Sequence, residues 1–279
     1  MVKLTIPIPG FPIGIAFDPT WFKWLWNKRP DWMRKRQQGI LIIGAGGTGK
    51  STLGRLLACE SDLFGSPAGK YRESIYLERI SLEDDPKVEI VIAPGQKLRR
   101  SVSWDEIGRD IREDLYRGIV LVGSHGYHSF NQNWQDHICY QENDTSKQFL
   151  DRLIKSGKDD ELEVIRQLCS LLKQRRSIKK LWLITAVTKQ DLWWDKSEDF
   201  KQFYEQGEYH EELTKLLAAV DKHRIQHEYA YMSLVIQSFK ANNAVLRKNL
   251  AGYDQPQQLQ SIRGLQKTIG ELIGWELKE

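Results

Sequence analysis

The stretch from Gly39 to Leu53, GILIIGAGGTGKSTL, constrains the fold of this chain more than any other. A short apolar run at residues 40–43 is followed by the spacing Gly-x-x-x-x-Gly-Lys-Ser. The apolar run is typical of a buried strand, and the residues after Lys50 have the pattern of a helix. The chain must therefore turn sharply from strand to helix through glycines, which can adopt positive φ.

This spacing is that of the phosphate-binding loop of nucleoside triphosphatases. Backbone N–H groups of such a loop curl around an anion, and the helix that follows points its unpaired N–H groups at the same place. We expect Lys50 to reach the β- and γ-phosphates and the Ser51 hydroxyl to bind Mg²⁺. The loop contributes one continuous set of predicted nucleotide-binding residues, namely Gly44, Ala45, Gly46, Gly47, Thr48, Gly49, Lys50, Ser51 and Thr52.

The composition is that of an ordinary soluble protein, with 41% hydrophobic and 28% charged residues in a chain of 279. No apolar run has the length needed to span a bilayer, and the N-terminus lacks the pattern of a signal peptide. We therefore expect a cytoplasmic protein. The three cysteines are far apart, which favours reduced thiols over a zinc site or a disulfide framework. We predict no nucleic-acid partner.

Residues 1–38 differ in character from the rest and are predicted to form an N-terminal extension. Seven basic and only two acidic residues lie within residues 1–40, and four tryptophans lie between Trp21 and Trp32. Asp18 and Pro19 predict a helix start. A broad aromatic arc beside cations suits docking of residues 18–36 on an anionic membrane surface or a partner protein. It also suits a helix that packs across its own domain, with solvated basic residues.

Strands and helices alternate along residues 39–279. The two strands that follow the first helix are joined by a short turn, which predicts an antiparallel hairpin. The predicted strands after Gly39 are 74–83, 88–93, 118–123, 181–187 and 229–239, and helices are predicted at 147–176, broken near Gly157, and at 257–275. This alternation predicts a three-layer α/β fold with a mostly parallel sheet, one antiparallel edge hairpin and helices on both faces. Residues 124–146 lack periodicity and form a predicted insertion.

Taken together, these features resemble the Ras-like, translation-factor-related class of P-loop GTPases. GAGGTGKS is close to the phosphate loop of small GTPases, and residues 188–191, Thr-Lys-Gln-Asp, resemble their Asn/Thr-Lys-x-Asp guanine-recognition motif. The resemblance implies a P-loop NTPase domain over residues 39–279 that takes GTP or GDP as ligand and Mg²⁺ as cofactor. By the same resemblance Thr188, Lys189 and Asp191 bind the base. The Asp191 carboxylate would accept two hydrogen bonds from guanine, a donor pair that adenine lacks.

Residues 94–96, Pro-Gly-Gln, resemble the end of the Asp-x-x-Gly-Gln motif that opens switch II. By this resemblance the Gly95 amide senses the γ-phosphate and Gln96 orients the attacking water. Ser74 resembles the switch I hydroxyl that joins the Mg²⁺ shell, and Arg72 is a candidate arginine acting in cis on the transition state. The chain departs from the family at Ile92, where the motif has a carboxylate that steadies Mg²⁺.

The guanine-proximal Ser-Ala-Lys motif of the family has two candidates, Ser233 and the segment Ser238-Phe239-Lys240. We prefer Ser238 and Lys240, because a ligand-facing loop follows a strand and Ser233 falls inside the predicted strand 229–239.

The expected function is a GTP-binding molecular switch with slow, partner-stimulated GTP hydrolysis, in which Gln96, Lys50 and Arg72 act on the reaction. The state of the switch would be read by an effector or regulatory protein. Two alternatives stay open. One is a nucleotide-binding scaffold without significant hydrolysis, which Ile92 favours, and the other is a P-loop ATPase or kinase that uses the same loop.

Overall fold

A six-stranded sheet forms the centre of the computed structural model, which describes residues 4–8, 11–17, 39–58, 76–82, 85–175, 179–220, 224–242 and 244–276. The described strands, in chain order, are β1 (Leu4–Ile8), β2 (Phe11–Phe17), β3 (Gly39–Gly44), β4 (Glu78–Leu82), β5 (Asp85–Ile92), β6 (Tyr116–Gly123), β7 (Leu181–Val187), β8 (Ile225–Tyr231), β9 (Phe239–Ala241) and β10 (Ala244–Arg247). The sheet order is β4-β5-β3-β6-β7-β8. Only β4 is antiparallel to its neighbour in this sheet. β1 pairs with β2, and β9 with β10, as separate antiparallel hairpins.

Helices cover both faces of the sheet. The described α-helices are α1 (Lys50–Leu57), α2 (Lys97–Arg112), α3 (Ser146–Leu172), α4 (Gln190–Trp193), α5 (Ser197–Lys201), α6 (Glu208–Ala219) and α7 (Gln255–Glu276). Leu53 of α1 and Ile269 of α7 share one buried cluster with residues of β3, β5 and β7. Ile107 of α2, Leu168 of α3 and Leu213 of α6 share the cluster on the opposite face. The predicted three-layer α/β fold with an antiparallel edge hairpin is confirmed.

The central strands are apolar on both sides because both faces are covered. All six residues of β3, all eight of β6 and all seven of β7 are buried. Parallel pairing places the carboxyl ends of β3, β5, β6, β7 and β8 at one edge of the sheet. Ligands of such sheets bind at that edge, and each of the predicted motifs follows one of these strands.

The predicted helix break near Gly157 is wrong, since α3 is one helix of 27 residues. Gly157 serves packing instead. A Cβ at this position would lie 2.5 Å from the carbonyl oxygen of Gly126, so the missing side chain lets the turn after β6 approach the helix backbone. The loss of helix propensity at one glycine is about 1 kcal/mol, which a long, well-packed helix tolerates.

The predicted strand 229–239 is also wrong in its extent. β8 ends at Tyr231, after which the N–H of Met232 donates to Val187 O and its carbonyl accepts from the N–H of Gln190. The strand ends at this point, although apolar residues continue in the sequence. Phe239 instead begins β9 of the small hairpin.

Residues 18–38 and 59–75 lie outside the described residues, so the aromatic docking segment, Arg72 and Ser74 stay predictions. Among the helices that the structure describes, none combines the length and the hydropathy needed to span a bilayer.

Candidate functional site

The phosphate loop lies between β3 and α1. Gly47 and Gly49 have φ angles of 73° and 94°, in the left-handed region that favours glycine. Lys50 is the first residue of α1, so the unpaired N–H groups of that helix begin at the loop. Lys50 Nζ donates to the carbonyl oxygen of Ala45 at 2.7 Å, and Thr48 Oγ1 donates to the same oxygen at 3.0 Å. The loop therefore has the backbone geometry of an anion cradle.

The segment after β5 lies against this loop. A Cβ at Gly95 would be 2.3 Å from Lys50 Nζ and 2.6 Å from the backbone nitrogen of Gly46. Glycine is required here by close approach, and any larger residue would push the segment off the loop. Gln96 follows as the N-cap residue of α2. The structure thus brings together the phosphate loop and the predicted switch II residues.

The protein groups available to Mg²⁺ are few. Ser51 and Thr52 lie in the first turn of α1 and are half-buried. Ile92 is 0% exposed and packs beneath α1, with its Cδ1 2.3 Å from the position of a Cβ on Gly54. In the described ranges no group of three or more His, Cys, Asp or Glu side chains is placed to hold a metal ion. Mg²⁺ commonly binds through one or two protein groups together with phosphates and water, and Ser51 fits that arrangement.

The motif after β7 is hydrogen-bonded to the phosphate loop. Thr188 Oγ1 donates to Thr48 O at 2.6 Å, with Gly123 O at 3.1 Å as a second acceptor. Lys189 Nζ donates to Gly47 O at 2.7 Å. Lys189 itself has a left-handed φ of 57°. Burial lowers the pKa of Lys189 to about 7, and the nearby Asp191 opposes the shift.

Asp191, the residue predicted to read guanine, is 1% exposed. Its Oδ1 accepts from Ser233 Oγ at 2.5 Å, and its Oδ2 accepts from the N–H of Gln237 at 3.1 Å. Burial raises the pKa of Asp191, although these two hydrogen bonds oppose the rise. The carboxylate is therefore held by the segment that follows β8.

The preference for Ser238 over Ser233 is not supported by these contacts. Ser233 lies after β8 rather than within it, and its hydroxyl is the one that reaches Asp191. Ser238 Oγ donates to Asn249 Oδ1 at 3.3 Å, and Lys240 is exposed on β9. Within the part of the chain that the structure describes, neither Ser238 nor Lys240 has a hydrogen bond to Asp191 or the phosphate loop. The preference for Ser238 assumed a strand that continues to residue 239, whereas β8 ends at Tyr231.

The turn after β6, residues 124–130, covers the other side of the phosphate loop, which the sequence did not indicate. The N–H of Ser129 donates to Gly47 O at 3.1 Å. Lys189 Nζ, which also donates to Gly47, reaches Ser129 Oγ at 2.8 Å and the carbonyl oxygen of Tyr127. The turn, the phosphate loop and the motif after β7 are thus joined through one ammonium group.

A buried carboxylate on α3, Glu161, fixes this turn and is 3% exposed. Its Oε1 accepts from the N–H groups of Ser124 and Gly126 at 2.9 and 3.1 Å and lies 3.0 Å from His128 Nε2. Its Oε2 accepts from the hydroxyl of Tyr204. Burial alone would raise the pKa of Glu161, but the hydrogen bonds from His128, Tyr204 and Ser124 lower it below its ordinary value. The only sequence sign of this cluster was the pair His125 and His128, three residues apart.

A cavity of about 380 Å³ adjoins the phosphate loop. Its lining residues include Gly46 of the loop, Gly95 and Gln96 after β5, His128 of the turn after β6 and Asp160 of α3. The lining exposes both polar and apolar surface.

No protein-family model and no curated protein sequence matches this chain. Among solved structures, it is similar to the signal recognition particle receptor SRb-GDP from Chaetomium thermophilum, at 11% identity and a TM-score of 0.41 over 85% of this chain and 97% of that one. It is also similar to the small COPII coat GTPase SAR1 from Encephalitozoon cuniculi in complex with GDP, at 14% identity and a TM-score of 0.38 over 90% and 87%. A third is a probable GTP-binding protein engB, at 16% identity and a TM-score of 0.37 over 84% and 98%. The strand order and the phosphate loop themselves are those of a three-layer α/β fold of the P-loop nucleoside triphosphatase type.

Proposed function

We propose that this chain binds GTP and GDP at the phosphate loop and works as a molecular switch, with slow GTP hydrolysis that a partner protein stimulates. The observation that carries the proposal is the attachment of Thr188 and Lys189 to the loop carbonyls of Thr48 and Gly47. These bonds hold Asp191 at a set distance from the anion cradle. A base and a triphosphate joined by one ribose require this fixed separation.

Guanine selection would depend on Asp191. Each carboxylate oxygen has about two acceptor positions, so the bonds from Ser233 and Gln237 leave acceptor capacity for guanine N1–H and N2–H₂. Because Asp191 is 1% exposed, the segment 232–238 has to shift for a base to enter. Adenine has no matching donor pair and would leave the buried carboxylate with poor partners.

The switch would act through Gly95. Its backbone lies directly against Lys50 and Gly46, so a γ-phosphate that bound there would displace the Gly95 segment and would then contact the Gly95 amide. Binding and loss of that phosphate would therefore change the position of the segment after β5 and of the start of α2, which an effector or regulatory protein could read. Mg²⁺ would bind to Ser51 and the phosphates and supply positive charge where the phosphoryl group is transferred.

Competition binding tests the nucleotide. Labelled GDP is bound to the full chain and challenged with GTP, ATP and XTP, both for the wild type and for D191A. We expect GTP to compete at least 100-fold better than ATP and D191A to lose that difference. D199N is the matched control, because Asp199 is exposed on α5. Efficient competition by ATP would favour an ATPase or kinase instead and would contradict the role of Asp191.

A nucleotide-binding scaffold without hydrolysis is the second candidate, favoured by the apolar Ile92 beneath α1. Single-turnover hydrolysis of GTP, measured alongside GTP affinity on the same preparation, separates the two. Tight binding with no phosphate release over many hours would favour the scaffold.

The N-terminal segment 18–36 stays a proposed docking site for a partner protein or an anionic membrane surface, on the basis of its tryptophans and basic residues. Sedimentation with anionic liposomes, comparing the full chain with one that lacks residues 1–38, tests the membrane alternative. Equal sedimentation of the two proteins would eliminate it.

A further inference from the structure

We propose that His128, oriented by Glu161, is a second catalytic residue for GTP hydrolysis, which accepts a proton from the attacking water on the cavity side of the phosphate loop. This inference rests on the proposed function. Water oxygen forms a bond to the γ-phosphorus as the bond to the β-phosphate oxygen breaks, giving GDP and inorganic phosphate. The proton lost by water passes to His128 Nδ1 and then to solvent.

The position of His128 is the first support. It lines the same cavity as Gly46, Gly95 and Gln96, although it belongs to the turn after β6. Gly95 lies against Lys50 and Gly46, which marks this end of the loop as the γ-phosphate end. A water molecule in this cavity that attacks the γ-phosphorus would therefore have both Gln96 and His128 among the residues that line its surroundings.

The tautomer of His128 is the second support. Glu161 is buried and accepts from two backbone N–H groups and from the Tyr204 hydroxyl, so it is held as the carboxylate. A carboxylate only accepts, so the 3.0 Å contact places a hydrogen on His128 Nε2. The other ring nitrogen, Nδ1, is then the basic one. It forms no hydrogen bond to any residue within the described part of the chain, which leaves its lone pair available.

The rigidity of the turn is the third support. Gly126 donates to the same carboxylate oxygen, and a Cβ on it would lie 2.2 Å from Ile154 O, so the turn is pressed onto the backbone of α3. On α3, Gly157 has no side chain, which leaves room for the backbone of Gly126 in this turn. A base that is fixed in this way needs little reorganisation before it acts.

Gln96 and His128 would have different tasks. The amide of Gln96 can orient water but cannot take its proton, whereas a neutral imidazole can do both. An oriented histidine typically contributes 10²- to 10⁴-fold to a rate. His128 would therefore supply part of the basicity that a site with few metal ligands lacks.

The test uses single-turnover GTP hydrolysis by the full chain, with GTP affinity measured on each variant. We expect H128A to lower kcat about 100-fold while the Kd for GTP stays within about threefold of the wild type. Added imidazole is expected to restore part of the H128A rate and none of the Q96A rate. E161Q is expected to lower kcat about 10-fold without rescue, because Glu161 is a positioning residue that acts through His128. H210A is the matched control, since His210 is exposed on α6.

H128Q covers the case in which H128A fails to fold, because its amide N–H can still donate to Glu161 while it cannot take a proton. The inference is overturned if H128A or H128Q hydrolyses GTP at the wild-type rate. It is also overturned if H128A loses both hydrolysis rate and GTP affinity and imidazole does not restore the rate. That result is expected if the contact between His128 and Glu161 only stabilises the fold. A wild-type chain that binds GTP and never hydrolyses it overturns the catalytic role and leaves nucleotide binding intact. A chain that binds no GTP overturns the proposed function itself.

Discussion

Thr188 Oγ1 donates a hydrogen bond of 2.6 Å to the carbonyl oxygen of Thr48, and both residues are buried. The bond joins two segments that are 140 positions apart in the chain. It connects the loop that would hold phosphates to the motif that would hold a base.

Replacing Thr188 by Val keeps the shape of the side chain and removes the donor. We expect the free energy of unfolding to fall by about 1–3 kcal/mol, because Thr48 O is left without this partner in a buried place. We also expect weaker nucleotide binding, since the motif is no longer tied to the loop. Chemical denaturation and GDP titration measure the two effects. T214V at an exposed position of α6 is the control, and equal losses in both variants would show that the bond has no special role.

Replacing Asp191 by Asn exchanges one acceptor oxygen for a donor. Guanine offers N1–H and N2–H₂ donors, whereas xanthine offers N1–H and an acceptor O2, so the preference should change from GTP toward XTP. We expect GTP affinity to fall by about 100-fold or more and XTP to become the better competitor. The assay is competition against labelled GDP and labelled XDP. An unchanged order of affinities would show that Asp191 does not contact the base.

Replacing Gly95 by Ala introduces a Cβ 2.3 Å from Lys50 Nζ and 2.6 Å from the backbone nitrogen of Gly46. The segment must move away from the loop, so we expect the preference for GTP over GDP and the hydrolysis rate to fall. GDP affinity should change by less than about threefold, because the displaced segment lies at the end of the loop where a γ-phosphate would bind and Asp191 is unchanged.

Gly264 on α7 supplies the control, since among the described residues no atom outside the backbone of its own helix lies within 4 Å of a Cβ placed there. G264A should stabilise the fold by about 0.5–1 kcal/mol through helix propensity alone and leave nucleotide binding unchanged. Nucleotide titrations that give the same result for both alanine variants would argue against a role for Gly95 in sensing the γ-phosphate.

The stability of the fold should decrease in acid because of His125. This residue is buried among aromatic rings, and burial lowers its pKa from 6.5 to about 3. Below pH 6.5, His125 binds a proton in the unfolded chain but stays unprotonated in the folded chain until the pH approaches 3. The stability is therefore complete above pH 6.5 and is lost as the pH falls toward 3, by up to about 1.4 kcal/mol per pH unit.

His125→Asn isolates this contribution, because Asn does not titrate and tolerates the φ of 52° at this position. Denaturation at pH 7, 5.5 and 4.5 should show a shallower loss of stability in the variant than in the wild type. Half-buried His227, whose pKa is lowered to about 4, and Glu161, whose pKa is also lowered, should preserve the remaining slope in both proteins. If the stability of the variant and of the wild type decreased equally with falling pH, His125 would not be the source of the acid destabilisation.

The sequence alone determined the phosphate loop, the three-layer fold and the candidate role of residues 188–191. These features follow from local rules: glycine positions that permit left-handed φ, apolar runs that match buried strands, and short motifs at the ends of those runs. The sequence also showed that the switch II motif lacks its carboxylate, because Ile92 occupies that single position of the motif.

Only the tertiary structure decided which residues complete the site. Ser233 rather than Ser238 forms the hydrogen bond to Asp191, and Ser233 lies just after the end of β8 at Tyr231. The sequence did not indicate this strand end, because the apolar pattern continues beyond it. The sequence predicted a helix break at Gly157, whereas in the structure Gly157 allows the backbone of Gly126 to pack against α3. Glu161 and His128 are 33 positions apart, and no local pattern joins them. Their pairing depends on the packing of α3 against the turn after β6, a non-local contact that local sequence rules do not encode.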